Sequence, residues 1–285
     1  MTVKVNLNGQ INDDASISVF DHGFLFGDSI YEVIATHKGK PCWVKPHLNR
    51  LRKSGRGVGL DISWSDDRLV SEIDRTIQEA GNKESYVRII ITRGVGELDI
   101  DPTSCNNPQF IIIVMPLKVY PAHYYEKGID VSLVSVKRNV KDALNPGIKT
   151  GNYLNNVLAK IEANKSGAHD ALMLNSQGFL TECTTSNFFM VHEGRVLTPS
   201  LDCGILAGIT REVVIQLARE NGLLVEEGEW PPEYLAKAEE AFVTGTTKKV
   251  MPVTHLDGQP IGNGLPGPVT RELLRLFLSK EEAVD

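Results

Sequence analysis

Residues 148–156 read Ile148-Lys149-Thr150-Gly151-Asn152-Tyr153-Leu154-Asn155-Asn156, and the role given to Lys149 decides how the rest of the chain is read. The lysine stands just before a helix start, beside a glycine and small polar residues. A solvated loop lysine is the common occurrence. The alternative is a partly desolvated amine that attacks a carbonyl carbon to form a Schiff base. After it, Leu154, Val157, Leu158 and Ile161 recur at helical spacing with Gly167 beyond, so an amphipathic helix is expected from Asn152 to Lys165.

Three further segments gain meaning only beside that lysine. In Leu180-Thr181-Glu182-Cys183-Thr184-Thr185-Ser186-Asn187-Phe188-Phe189 a glutamate is followed by hydroxyls and an aromatic strand. It reads as a strand end with a solvated acid, or as a carboxylate aimed at a cationic ring nitrogen. Leu206-Ala207-Gly208-Ile209-Thr210-Arg211-Glu212 opens a helix, whose first backbone N–H groups form an anion site. Thr244-Gly245-Thr246-Thr247 offers hydroxyls and N–H groups at a strand end. Each is ordinary alone.

The 285 residues suit about two domains. Hydrophobic residues at 41% and charged residues at 23% are usual for a globular protein. Thirty basic against 36 acidic residues leave a net charge of −6, which argues against a nucleic-acid or anionic-membrane surface. The longest purely apolar run, Phe110 to Met115, is far short of the ~20 residues of a membrane helix. No apolar segment follows Met1, so no secretory signal is expected. Cys42, Cys105, Cys183 and Cys203 form no CxxC pair, and the seven histidines include no HExxH. Neither a metal site nor a disulfide framework is expected, and the cytoplasm is the expected compartment.

Asn8-Gly9 is a hairpin signal after the alternating Val3–Leu7. Pro46 opens an expected helix carrying Leu48 and Leu51, and Gly55, Gly57 and Gly59 are expected to end it. Ser65 caps a second helix, with Leu69, Val70, Ile73 and Ile77 on one face and Gly81 past its end. Strands are expected at Tyr86–Thr92, Phe110–Met115, Ile129–Val136, Ala171–Asn175, Phe188–His192 and Ala241–Thr244. Further helices are expected at Thr210–Asn221 and Val269–Leu278. Pro116 to Lys127 has no period, so the expected organisation is a small domain over 1–116, a connection over 117–125 and a larger domain over 126–285. Strands and helices mix without a strict βαβ rhythm, so the class is α+β. The GxGxxG match at Gly262, Gly264 and Gly267 lacks the second strand of a dinucleotide fold and is read as a loop before a helix.

Taken together, these segments resemble the class IV aminotransferases, the pyridoxal-phosphate enzymes of fold type IV. The resemblance covers nearly the whole chain. It includes Glu182 through Asn187, Thr198, Gly208 and Arg211, and the front-half motifs Phe26-Gly27-Asp28-Ser29-Ile30-Tyr31-Glu32 and His47-Leu48-Asn49-Arg50-Leu51, with Gly262 to Thr270 at the end. It implies a two-domain fold with pyridoxal 5'-phosphate held covalently by Lys149, which also moves the proton of the reaction. It further implies Glu182 at the pyridine nitrogen and Tyr153 at the phenolic oxygen. The phosphate would lie on Arg50, the backbone N–H groups of Ile209 and Thr210, and Thr246 or Thr247.

Within the class the markers divide. Asn152-Tyr153-Leu154 and Tyr86-Val87-Arg88 resemble branched-chain aminotransferases, as does the lack of Arg or His from Val95 to Pro102 after Thr92-Arg93-Gly94. Tyr31 and the Thr184-Thr185-Ser186 segment are closer to D-amino-acid aminotransferases. Aminodeoxychorismate lyase is a third relative. The resemblance thus implies an L-branched-chain amino donor and a 2-oxo acid acceptor such as 2-oxoglutarate, used in ping-pong fashion. The alternative is D-amino-acid or (R)-amine specificity. Tyr31, Tyr86, Arg88 and Thr247 are the expected substrate contacts. Arg93 is a second candidate cation, although pairing with a neighbouring acid is its more ordinary role. A homodimer or larger homo-oligomer is expected.

Overall fold

The structure, a computed structural model, describes residues 2–283. It divides into two compact units, one of residues 2–118 with Ile148–Asn152, the other of Val119–Gly147 with Tyr153–Ala283.

The first unit contains β1 (Lys4–Leu7), β2 (Gln10–Asn12), the short α1 (His22–Leu25), β3 (Ser29–His37), β4 (Lys40–Pro41), α2 (Val44–Gly57), α3 (Asp66–Ala80), β5 (Ser85–Thr92) and β6 (Gln109–Pro116). Its strands form one antiparallel sheet in the order β2-β1-β6-β5-β3-β4. Asn8 and Gly9 make the expected turn, both with positive φ (52° and 94°). Ser65 accepts from the Arg68 N–H to start α3, and Gly81 ends it in the left-handed conformation. Helix α2 runs through Gly55 to Gly57. A Cβ on Gly57 would lie 2.6 Å from Ile148 Cδ1, so this glycine lets the residue before Lys149 seat against the helix.

Strand alternation sorts the side chains of β3 and β5. Ile30, Ile34, Val87, Ile89 and Ile91 pack with Leu48, Leu51, Leu69 and Ile73 in one core. Each fully buried aliphatic side chain contributes about 1.5–3 kcal/mol. The opposite face carries Tyr31 and Val33, whose register partners are Ile90 and Arg88, and Tyr86 lies further along it opposite Ala35. Glu32 breaks the pattern: it lies on the core side with no exposed surface.

The second unit contains α4 (Ala122–Lys127), β7 (Ile129–Leu133), α5 (Leu154–Lys165), β8 (Asp170–Leu174), β9 (Leu180–Cys183), β10 (Asn187–His192), β11 (Arg195–Pro199), α6 (Ile209–Glu220), β12 (Val225–Gly228), β13 (Glu240–Gly245), β14 (Lys249–Leu256), β15 (Gln259–Pro260) and α7 (Pro268–Glu282). Its mixed sheet runs β12-β11-β10-β13-β14-β7-β8-β9, with β15 on β14. Phe188, Met190, Leu172, Val243 and Met251 belong to its core.

Three local expectations are revised here. The stretch without visible period forms α4 from Ala122. The strand expected over Ile129–Val136 stops at Leu133. Helix α5 presents its apolar stripe outward: Leu154, Val157, Leu158 and Ile161 are 48–69% exposed, while Asn156, Ala159 and Ala163 are buried. The small alanines let the helix pack closely on Ala171 and Met173 of β8.

The glycine-rich approach to α7 is occupied by the chain itself. The Glu240 carboxylate accepts from the N–H groups of Val269 and Thr270 and from the Thr270 hydroxyl. A Cβ on Gly267 would lie 2.0 Å from Glu240 Cδ. Among the described residues no helix is long and apolar enough to cross a membrane.

Candidate active site

In the first unit, Lys149 is held as an added edge on β3. The Tyr31 N–H donates to the Lys149 carbonyl at 3.0 Å, and the Gly151 N–H donates to the Ser29 carbonyl at 2.8 Å. The Ser54 hydroxyl on α2 accepts from the Lys149 N–H at 3.1 Å. A Cβ on Gly151 would lie 2.3 Å from Ser29 Oγ, so the close approach needs glycine. Lys149 Nζ then lies 4.5 Å from the centroid of the Tyr31 ring. The Arg88 guanidinium lies 4.0 Å from the same centroid. Contacts of this kind are worth about 0.5–2 kcal/mol each. The chain thus places Lys149 and Arg88 against the one ring of Tyr31.

Arg50 is built in from behind. Its Nε and Nη2 donate to the two oxygens of Glu32 at 2.6 and 2.8 Å, and His47 Nδ1 donates to Glu32 Oε2 at 2.8 Å. Burial would raise the Glu32 carboxyl, but the Arg50 charge and the bonds from Arg50 and His47 hold it at about 2. Burial lowers the His47 pKa despite Glu32, with Arg50 and Lys149 acting in the same sense as burial, so a neutral imidazole donates its Nδ1 proton. Arg93 is locked differently: its fork takes Asp28 at 2.8 and 3.0 Å, and it also donates to the carbonyls of Gly59 and Val58. This is the acid pairing expected as its more ordinary role.

In the second unit, Glu182 lies near the end of β9, 5% exposed. Its Oε1 takes the Arg138 fork at 3.1 and 3.0 Å. Its Oε2 accepts from Asn187 Nδ2 at 3.1 Å and from the Leu206 N–H at 3.0 Å. Asn187 also donates to the Leu206 carbonyl at 2.9 Å. A Cβ on Gly208 would lie 2.0 Å from Asn187 Oδ1. Glu182 and the start of α6 are therefore tied through one asparagine, and only glycine fits at the helix cap. No side chain caps α6 at Gly208, and Ile209 and Thr210 open it. Tyr153 is the residue before α5. Thr246 and Thr247 form the half-buried turn between β13 and β14.

These residues suit pyridoxal phosphate. The start of α6 has a glycine cap and no side-chain cap, as an anion seat requires. Thr244 Oγ1, just before the threonine turn, is buried with no hydrogen-bond partner among the described residues. Glu182 is a buried carboxylate oriented by Arg138, Asn187 and the Leu206 N–H. Sequence reasoning assigns no role to Glu32, His47, Arg138 or Asn187. The signal for Glu32 is a charge on the core-facing side of a strand, matched by His47 and Arg50 one helical turn apart.

A family model described as Amino-transferase class IV matches residues 29–256. The chain is 40% identical over 277 residues to a Methanocaldococcus jannaschii protein provisionally named a branched-chain-amino-acid aminotransferase, covering 96% of this chain and 95% of that one. It is 32% identical over 273 residues to a Bacillus licheniformis D-alanine aminotransferase, covering 95% and 94%. Among solved structures, the Escherichia coli branched-chain amino acid aminotransferase superposes with a TM-score of 0.93 at 30% identity, covering 97% of this chain and 93% of that one. A second branched-chain amino acid aminotransferase, solved with pyridoxamine 5'-phosphate, superposes with a TM-score of 0.94 at 28% identity, covering 99% and 95%. The chain belongs to the class IV aminotransferases, pyridoxal-phosphate enzymes of the α+β fold type IV.

Proposed function

We propose that the protein moves an amino group from an L-branched-chain amino acid to a 2-oxo acid such as 2-oxoglutarate, in two half-reactions. The observation that carries this reading is the Arg88 guanidinium over the Tyr31 ring, the ring that also meets Lys149 Nζ. A cation on the ring that the reacting amine also meets suits a substrate that carries a carboxylate.

When bound, pyridoxal phosphate supplies the electron-withdrawing ring that accepts the charge left on the substrate carbon. Lys149 would hold the cofactor through Nζ, and its amine would be the base that takes the proton from the substrate Cα. Glu182 favours the protonated pyridine nitrogen through its negative charge, and Arg138 and Asn187 keep that carboxylate in place. Tyr153 would donate to the phenolic oxygen. Arg50, the N–H groups of Ile209 and Thr210, and Thr246 or Thr247 would receive the phosphate. Tyr31, Tyr86, Arg88 and Thr247 line the substrate side.

D-amino-acid specificity is the second reading, favoured by Tyr31 and by the likeness to D-alanine aminotransferase. The test mixes purified protein with L-leucine, D-alanine or (R)-1-phenylethylamine and follows conversion of the cofactor absorbance to that of the pyridoxamine form. L-Leucine is expected to react fastest, and Arg88→Ala to lose that reaction while keeping cofactor and fold. Faster conversion by D-alanine or the amine contradicts the branched-chain reading.

A homodimer in the cytoplasm completes the proposal. The Asp21–Val95 bridge links two segments that expose Val19, Phe20, Phe24, Leu98 and Ile100 at 50–75%. Exposed apolar side chains of this kind are what a second copy of the chain would cover.

A further inference from the structure

Thr184, Thr185 and Ser186 present three consecutive hydroxyls that the proposed chemistry leaves unused. In the structure they converge on one buried ion pair. Lys248 Nζ donates to Asp170 Oδ2 at 2.5 Å, to Thr185 Oγ1 at 3.2 Å and to Ser186 Oγ at 3.1 Å. Asp170 Oδ1 accepts from the Thr184 N–H and hydroxyl at 3.2 and 2.5 Å. It also accepts from the Ala171 N–H at 2.9 Å. The two charged side chains are 13% and 3% exposed. The Tyr125 hydroxyl donates to the Lys248 carbonyl at 3.2 Å, gripping the same turn from another element.

We propose that Asp170 and Lys248 are positioning residues that clamp the Thr184–Ser186 turn and the Thr246–Lys248 turn into one rigid piece. The proposal rests on the function given above. Lys248 directly follows Thr246 and Thr247, the proposed phosphate and substrate donors. Thr184 stands two residues beyond Glu182, the proposed partner of the ring nitrogen. Turns left to themselves are mobile, and a displacement of about 1 Å in a positioning group can lower rate a hundredfold. A buried ion pair whose hydrogen-bonding positions are filled by hydroxyls allows few alternative arrangements. Its value here lies in geometry, because burying two charges returns little net stability. The threonine-rich turn is then an internal fastening, and its likeness to D-amino-acid enzymes says nothing about substrate handedness.

The test compares wild type with Lys248→Arg, Asp170→Asn/Lys248→Met, and Thr185→Ala/Ser186→Ala. Readouts are thermal stability, pyridoxal phosphate affinity by absorbance titration, and KM and kcat for the amino donor. The double charge variant removes both charges together and is expected to fold. Its cofactor affinity should fall and its donor KM rise, each by about tenfold, as expected for roughly one lost polar contact. Lys248→Arg keeps the charge but not the compact ammonium, so its affinity and KM should fall between those of wild type and the double variant. A folded double variant with wild-type affinity and KM overturns the proposal. If that variant does not fold, the hydroxyl variant decides: a KM rise of about twofold or more supports the clamp, and an unchanged KM overturns it. Wild type that converts no amino donor would refute the proposed function instead, and cofactor affinity would still decide the clamp.

Discussion

Lys248 reaches inward to the Asp170 carboxylate, whereas Lys149 lies over the Tyr31 ring that it shares with Arg88. Burial would lower the Lys248 pKa, but the Asp170 charge and hydrogen bond overcome it and raise the value above the usual lysine range. Such an ammonium stays protonated and tied down, so it serves as a fastener. The amine of a nucleophilic lysine must instead give up its proton and move in the course of the reaction. Burial alone therefore does not mark a reactive lysine. The same division of labour recurs in two buried carboxylates. Glu32 holds Arg50, the proposed working residue, whereas Glu182 is itself the proposed working residue and Arg138 holds it.

The sharpest way to break the lysine comparison is a pair of matched substitutions. Lys149→Arg is expected to lower transamination by several orders of magnitude, while Lys248→Arg lowers it by about tenfold or less. Equal losses in steady-state rate would erase the distinction.

Glu182→Gln comes next in size. The amide still meets Asn187 and Leu206 but no longer favours a protonated ring nitrogen. Each pKa unit lost there corresponds to about 1.4 kcal/mol, so half-reaction rates should fall by orders of magnitude with cofactor retained. Near-normal stopped-flow rates would remove Glu182 from the ring.

Arg50→Ala should show the other half of the carboxylate comparison. It leaves Glu32 buried without its main partner, so the fold should lose about 3–5 kcal/mol in urea denaturation. Arg50→Ala/Glu32→Gln should recover most of the stability and keep a cofactor affinity lowered about ten- to a hundredfold. Recovery of affinity as well would take Arg50 out of the phosphate site. Glu32 also predicts an acid dependence. Its folded pKa of about 2 lies below the ordinary 4.5, so its stabilisation is complete above that ordinary value and drains away as pH falls toward 2. Glu32→Gln should flatten this part of the stability profile, and an unaltered profile would contradict the assignment.

Local rules are readable from sequence where a few adjacent residues hold the whole signal, as at Asn8-Gly9 and at Ser65 with Gly81. The period of α5 is equally clear, but a period does not say which face a sheet accepts. Close packing on β8 admitted Ala159 and Ala163 and left the larger Leu154 and Val157 outside. Lys149, Arg50 and Glu182 emerge through family resemblance, since spacing alone leaves each with an ordinary alternative. Arg138, Asp170 and Lys248 give no local sign. Their partners come from elements distant in sequence, and only folding brings those charges together.

Borohydride reduction of the pyridoxal-phosphate-loaded protein, followed by peptide mapping, tests the central claim most directly. The account predicts a phosphopyridoxyl label on Lys149. A label on Lys248, or on any other lysine, would contradict it.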